Sequence, residues 1–341
     1  MFLVQKFGGR CVGDADGIQA RAAAVAAAVR RGDQIVLTVS AMGEETDRLL
    51  GLASAVSGAR RGRDLDMLLT AGERKAAALF SLALQDLGIP AESLTGGEAG
   101  IITGGGHTQA RIVSVCPARI RAVLDGGRVP VVGGAQGVAV DGTATFLGRG
   151  GSDTTAVALT AALGADLCEI LTDVPGVFTA DPAVVPGARL LRRIDAGLLF
   201  EMCSAGCPKP AARAVGLARD RGVPLRVRSA FSPEEGTWID GEVPDGRAGP
   251  VAVVSDLGPF SDAAAVSVIG RRVGAGARAA HSAVMLDALA DEGISAHVVA
   301  GSSCRLTCAV PAADARRATV RLHQLYVEQG YGTCHGGRGH D

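Results

Sequence analysis

Three short stretches of this sequence carry side chains and backbone that could hold an anion. Lys6-Phe7-Gly8-Gly9 sets an ammonium beside two glycines, whose backbone can turn tightly and expose N–H groups. Such a pairing favours a negatively charged ligand, although an ordinary turn would use the same glycines. Gly148-Arg149-Gly150-Gly151-Ser152-Asp153-Thr154-Thr155 runs into the apolar stretch Ala156-Val157-Ala158-Leu159. That pattern predicts a helix capped by Ser152 or Asp153, with its positive end open to a phosphate or carboxylate. Three glycines with an arginine among them exceed what a turn requires. The third stretch, Leu171-Thr172-Asp173-Val174-Pro175-Gly176-Val177-Phe178-Thr179-Ala180-Asp181-Pro182, follows an apolar segment with a polar, turn-rich loop. Ligands bind at that edge of open α/β sheets, but Pro175-Gly176 and Asp181-Pro182 are also plain turn chemistry.

The elements needed to position these stretches can be read from periodicity. Residues 2–6 and 34–39 read as strands around an Ala-rich helix over 14–31, and Gln34-Ile35-Val36-Leu37-Thr38-Val39 has the continuous apolar character of a buried parallel strand. Helices near 46–57 and over 64–87, strands near 111–115 and 129–134, a helix over 153–163 and a strand at 167–172 continue an α/β pattern. A helix over 208–221 and a strand over 223–229 close it. Between 232 and 250 the periodicity gives way to Pro, Gly and acidic residues, which predicts a linker over 233–250. Beyond it, strands at 251–255, 264–269, 294–300 and 303–310 with helices over 277–292 and 312–327 predict a small ferredoxin-like layer. The expected domains are therefore 1–232, 251–330 and a disordered Gly-rich tail over 331–341.

Composition narrows the function classes. The chain has 341 residues, 48% of them hydrophobic but only 3% aromatic, so its core is built from Ala, Val and Leu. A formal charge of −1, with no long Lys/Arg block, argues against a nucleic-acid or membrane stripe and points to small-molecule partners. No secretory leader pattern and no apolar run of about 20 residues is present, so a cytoplasmic protein is expected. The eight cysteines form no C-x-x-C pair, and Cys334 with His335 and His340 falls in the tail, so no metal site is expected. Lysine occurs only at 6, 75 and 209 in an Arg-rich chain, which singles out Lys6 as a residue whose ammonium is needed.

The three stretches, in this order, resemble the amino-acid kinase family, and within it the aspartate kinases. The likeness extends to Val39-Ser40-Ala41-Met42-Gly43 with Thr46-Asp47, to Leu68-Leu69-Thr70-Ala71-Gly72-Glu73, and to Gly222 through Ser229, covering residues 1 to about 232. It implies an amino-acid-kinase-like sandwich with a mostly parallel central sheet, and transfer of the ATP γ-phosphate to the side-chain carboxylate of L-aspartate, with ATP and Mg²⁺ as cofactors. By this resemblance Lys6 and Asp153 are catalytic. Lys6, Gly8, Gly9, Thr172, Asp173, Phe178, Asp181 and Lys209 hold the nucleotide, and Ser40, Thr46, Glu73, Arg149 and Ser152 hold the amino acid.

The C-terminal part resembles the ACT domains of aspartate kinases through Val266-Ser267-Val268-Ile269-Gly270. Aspartate kinases usually carry two such domains, and this chain has room for one, which implies weak or absent feedback by lysine or threonine. ACT-like sheets commonly pair edge to edge, so a homodimer is expected.

Five positions depart from the family pattern. Arg10 and Cys11 replace Thr and Ser, Ala135 replaces an aromatic and would open room beside the substrate, Ala183 replaces an Arg, and Pro208 displaces a Lys to 209. Arg10 could restore the cation lost at 183. Three readings stay open: an aspartate kinase with trimmed regulation, a relative acting on another carboxylate-bearing amino acid, and a non-catalytic partner subunit.

Overall fold

The structure, a computed structural model, describes residues 1–58, 62–240, 250–256, 262–271, 273 and 278–331. Half of the predicted linker over 233–250 and nearly all of the predicted tail over 331–341 lie outside the described residues. The described chain forms two compact units, Met1–Pro175 with Arg213–Trp238, and Gly176–Ala212 with Ile239 onward. This grouping differs from a division at 232, because the segment after Pro175 collects with the C-terminal residues before the chain returns.

In chain order the elements begin β1 (Phe2–Phe7), α1 (Ala15–Arg30), β2 (Gln34–Val39), α2 (Glu45–Val56), α3 (Arg63–Asp86), β3 (Ala91–Leu94), β4 (Ile101–Thr103) and β5 (Ile112–Val115). They continue with α4 (Ala118–Asp125), β6 (Val129–Gly133), β7 (Gln136–Ala139), β8 (Ala144–Phe146), α5 (Gly151–Leu163) and β9 (Leu167–Thr172). Next come β10 (Arg193–Asp195), α6 (Ala196–Ser204), α7 (Ala212–Arg221), β11 (Leu225–Ser229) and β12 (Thr237–Asp240). The last are β13 (Pro250–Asp256), β14 (Ala263–Gly270), α8 (Arg278–Asp291), β15 (His297–Gly301), β16 (Arg305–Pro311) and α9 (Ala315–His323), which runs into a π turn at Gln324–Glu328.

The first unit is built on six parallel strands in the order β11-β9-β1-β2-β6-β3. Strand alternation sends Leu3 and Phe7 of β1 to one face, where they join Ile18, Val25 and Phe80 of α1 and α3 in the main core, with Phe7 and Phe80 rings 5.4 Å apart. Lys6 therefore points to the opposite face, the one on which α5 packs against β1, β2 and β9. Helix α1 starts where the Asp14 carboxylate accepts the Gly17 N–H at 2.7 Å and stops before Gly32, whose φ of 96° suits only glycine. A second, mixed sheet of order β5-β4-β7-β8 leads into the Gly148 turn.

Three sequence expectations are corrected here. Helix α5 begins at Gly151, capped by Gly150 in the left-handed conformation with no side-chain cap, so neither Ser152 nor Asp153 caps it. Helix α7 begins at Ala212 and not at 208, because Pro208 and Pro210 withhold N–H groups and restrict the residues before them. The stretch read as a linker also contains strand β12.

The second unit carries a four-stranded antiparallel sheet, β13-β14-β16-β15, whose apolar residues pack against Met285 and Leu289 of α8 and Ala318 and Leu322 of α9. This is the predicted ferredoxin-like layer. No described helix is long and apolar enough to cross a membrane.

Candidate active site

Parallel pairing aligns Lys6 with Thr38 of β2 and with Ile170 of β9, so the carboxyl ends of three central strands meet around it. The Lys6 ammonium lies 2.6 Å from the Asp153 carboxylate, and both side chains are about nine-tenths buried. Asp153 is the third residue of α5, so the pair stands at the positive end of that helix. Beyond Phe7 the chain turns through Gly8, whose N–H donates to the Leu171 carbonyl at 3.0 Å. A Cβ added at Gly9 would sit 2.7 Å from the Ala41 carbonyl oxygen. The glycine is required there by close backbone approach, not by its φ.

Arg10 crosses from this turn to Asp173 at 2.8 Å, while the other Asp173 oxygen accepts the Thr172 hydroxyl at 2.9 Å. The Arg10 side chain is 78% exposed, so it stands at the rim with its charge partly screened. Cys11 is fully buried with its thiol against the Leu171 carbonyl, and burial pushes that thiol up, so it offers no nucleophile.

A second feature is the buried carboxyl of Glu73, one of the residues expected to hold the amino acid. Glu73 on α3 is only 3% exposed, and its Oε2 meets no hydrogen-bond partner. Burial pushes its pKa up to about 7, offset in part by hydrogen bonding to the Glu73 and Ala41 backbone. Ser40, half-buried, donates its N–H to the Phe7 carbonyl at the same strand end. Thr46 lies in the first turn of α2, beside Asp47, and Arg149 reaches Asp47 at 3.4 Å with 90% of its side chain exposed. Ser152 is buried against Gly134, where an added Cβ would meet its hydroxyl oxygen at 2.6 Å.

Ala135 does not open the room expected of it. It is 3% exposed, has a left-handed φ of 54°, and packs with Leu49, Leu69 and Phe146. Its N–H is held by the Thr155 hydroxyl at 3.2 Å, and α5 approaches so closely that a Cβ on Gly151 would fall 2.9 Å from it.

Phe178, Asp181 and Lys209 belong to the second unit. Phe178 bridges to Leu190, and Asp181 accepts the Ala183 N–H at 2.9 Å, capping its own turn. Lys209 offers its carbonyl to the Cys207 thiol at 3.5 Å.

Residues 1–229 match the amino acid kinase family. The chain belongs to the amino acid kinase family. Among curated members, it is 48% identical over 244 residues to an aspartokinase of Mycolicibacterium smegmatis, covering 71% of this chain and 58% of that protein. It is 42% identical over 336 residues to an aspartokinase of Corynebacterium glutamicum, covering 96% of this chain and 78% of that one. The chain thus spans less than two thirds of the length of the first relative. Among solved structures, E. coli aspartokinase III in complex with aspartate and ADP superposes with a TM-score of 0.82 at 20% identity, covering 95% of this chain and 99% of that one. That likeness shows the fold, an amino-acid-kinase sandwich followed by an ACT-like sheet.

Two residues that brace the turn at Gly148 were missed in the sequence. Asp66, with no exposed surface, accepts the Thr108 N–H at 2.8 Å and the Phe146 N–H at 2.9 Å and faces His107 Nδ1 at 2.9 Å, fixing the strand that leads into the Gly148 turn. Arg213 donates to the Leu147 carbonyl at 2.9 Å one residue before the same turn. An acid in the first turn of α3 looks like a dipole partner in sequence, which hid its buried role.

Proposed function

We propose that the chain phosphorylates the side-chain carboxylate of L-aspartate with ATP, giving 4-phospho-L-aspartate. The observation that carries this reading is the buried Lys6–Asp153 pair at the α5 N-terminus, 2.6 Å apart, where β1 and the Gly148–Asp153 turn meet. The acceptor carboxylate is ionised at neutral pH, so no general base is needed. Catalysis reduces to in-line placement and to neutralising charge on the transferring phosphoryl group. Lys6 supplies that charge, and Asp153 holds its ammonium over Gly8, where an added Cβ would stand 3.7 Å from it. Glu73 takes the α-ammonium of the amino acid and Arg149 its α-carboxylate, with Ser40, Thr46 and Ser152 completing that end.

Mg²⁺ fits a site of this kind, since it binds ATP through phosphate oxygens and needs only one or two protein carboxylates. The described residues form no cluster of three metal-ligating side chains, and Asp153 and Asp173 are the carboxylates at hand. The ion would neutralise phosphate charge. Phe178, Asp181 and Lys209 are assigned to the nucleotide, within a catalytic domain spanning 1–232, in a cytoplasmic homodimer.

The short connection from β13 to β14 supports weak feedback by lysine or threonine, and tight inhibition of the purified chain by either would overturn that. With ATP and Mg²⁺ the chain should release ADP on addition of L-aspartate. Release with glutamate in its place, or with no acid at all, contradicts the assignment.

A further inference from the structure

The segment between Phe178 and Leu191, in the second unit, is tied to the ACT-like layer at Thr179 and Arg189. Thr179 stands between Phe178 and Asp181 and is 4% exposed. Its N–H donates to the Arg189 carbonyl at 2.9 Å, and its carbonyl accepts the Val253 N–H of β13 at 2.8 Å. Its hydroxyl oxygen accepts the Arg189 N–H at 2.9 Å and lies 2.9 Å from Nε2 of His323, the last residue of α9. Arg189 also donates through Nη2 to the Val327 carbonyl at 3.1 Å.

The direction of the side-chain relay follows from its donors. His323 Nδ1 lies 2.9 Å from the Glu328 carboxylate, which can only accept, so Nδ1 carries the proton. Nε2 is then a lone pair and accepts the Thr179 hydroxyl proton. His323 has no exposed surface, and burial depresses its pKa, in keeping with this neutral tautomer. A Cβ at Gly187 would collide with the Glu328 carboxylate, so the segment closes directly over this chain of bonds.

We infer that His323 is a positioning residue for the nucleotide: through Thr179 it fixes the segment that presents Phe178 and Asp181. This rests on the reading that Phe178 and Asp181 meet ATP. Loss of the His323–Thr179 bond then weakens ATP while leaving the amino-acid end alone.

The test compares full-length wild type with His323→Phe, His323→Gln, His323→Asn and Thr179→Val. Three quantities are measured: binding of a fluorescent ATP analogue, KM for ATP and for aspartate, and hydrogen–deuterium exchange over 177–191. Losing a buried hydrogen bond should weaken ATP by about 10-fold in His323→Phe and in Thr179→Val, with KM for aspartate within about twofold. Gln reaches the Nε2 position and should restore affinity, whereas Asn mimics only Nδ1 and should not. The double variant should be no worse than Thr179→Val alone, which also removes the acceptor of the Arg189 N–H. Thr179→Val changes little volume and serves if His323→Phe fails to fold. Unchanged exchange over 177–191, or raised exchange with unchanged ATP affinity, overturns the inference. Wild type that does not bind the analogue overturns the ATP reading itself.

Discussion

The Lys6 ammonium and the Asp153 carboxylate meet at 2.6 Å, one at the carboxyl end of a central strand and the other in the first turn of the helix packed across it. In this arrangement the cation that the proposed phosphoryl transfer requires is already held in place. Removing either partner leaves a buried charge without compensation, which costs about 3–5 kcal/mol. Lys6→Met should lower kcat by about 10²–10³. Asp153→Asn, which keeps a polar partner, should fold and lose less. Equal turnover in Lys6→Met and wild type would show that the pair is only structural.

Gly134 tests the fit between the strand that follows β6 and α5. Its added methyl would fall 2.6 Å from Ser152 Oγ, with Ser152 Cα only 3.0 Å away, so backbone as well as side chain must move. Gly134→Ala should cost about 1–3 kcal/mol in stability and raise KM for aspartate more than for ATP. Denaturant titration and steady-state kinetics check both. A larger effect on ATP would place Ser152 at the other substrate.

Glu73 makes a prediction about pH. Its pKa is raised from 4.5 to about 7 by burial, so the folded state holds a proton that the unfolded state has lost. The stabilisation is complete below pH 4.5 and declines as pH rises toward 7, a difference of about 3 kcal/mol over that window. Glu73→Gln should therefore flatten the stability profile between pH 5 and 7. Binding an α-ammonium requires the ionised form, so aspartate should bind more tightly as pH rises through about 7 in wild type. A pH-independent KM for aspartate over this range contradicts the assigned role.

Arg10 is the cation the family pattern lacks at this position, and it reaches Asp173 from a 78% exposed position. An exposed pair of this kind contributes about 0–1 kcal/mol, so Arg10→Ala should hardly change stability. If Arg10 compensates for Ala183, the same change should raise KM for ATP several-fold, in a manner that weakens at high salt. An unchanged KM for ATP and unchanged turnover would remove the compensation.

The parts of the molecule governed by local chemistry could be read from the sequence. The apolar run of β2, the Ala-rich α1 and the Gly-rich approach to α5 each have a periodicity or a composition that admits few alternatives. What escaped was decided by distant contacts. The start of α5 shifted because a left-handed Gly150 ended the turn without a side-chain cap, leaving Asp153 to face Lys6. Strands β4, β7 and β8 have three or four residues each, too few for alternation to show. Ala135 read as a vacancy, yet packing closed it, because α5 crosses at Gly151. Nothing near His323 in sequence announces Thr179, 144 residues away.

The covalent product tests the central claim most directly. Purified chain incubated with ATP, Mg²⁺, L-aspartate and hydroxylamine should accumulate aspartyl β-hydroxamate in step with ADP, and Lys6→Met should lose both together. ADP release without hydroxamate, or hydroxamate from another carboxylic acid in preference to aspartate, would contradict it.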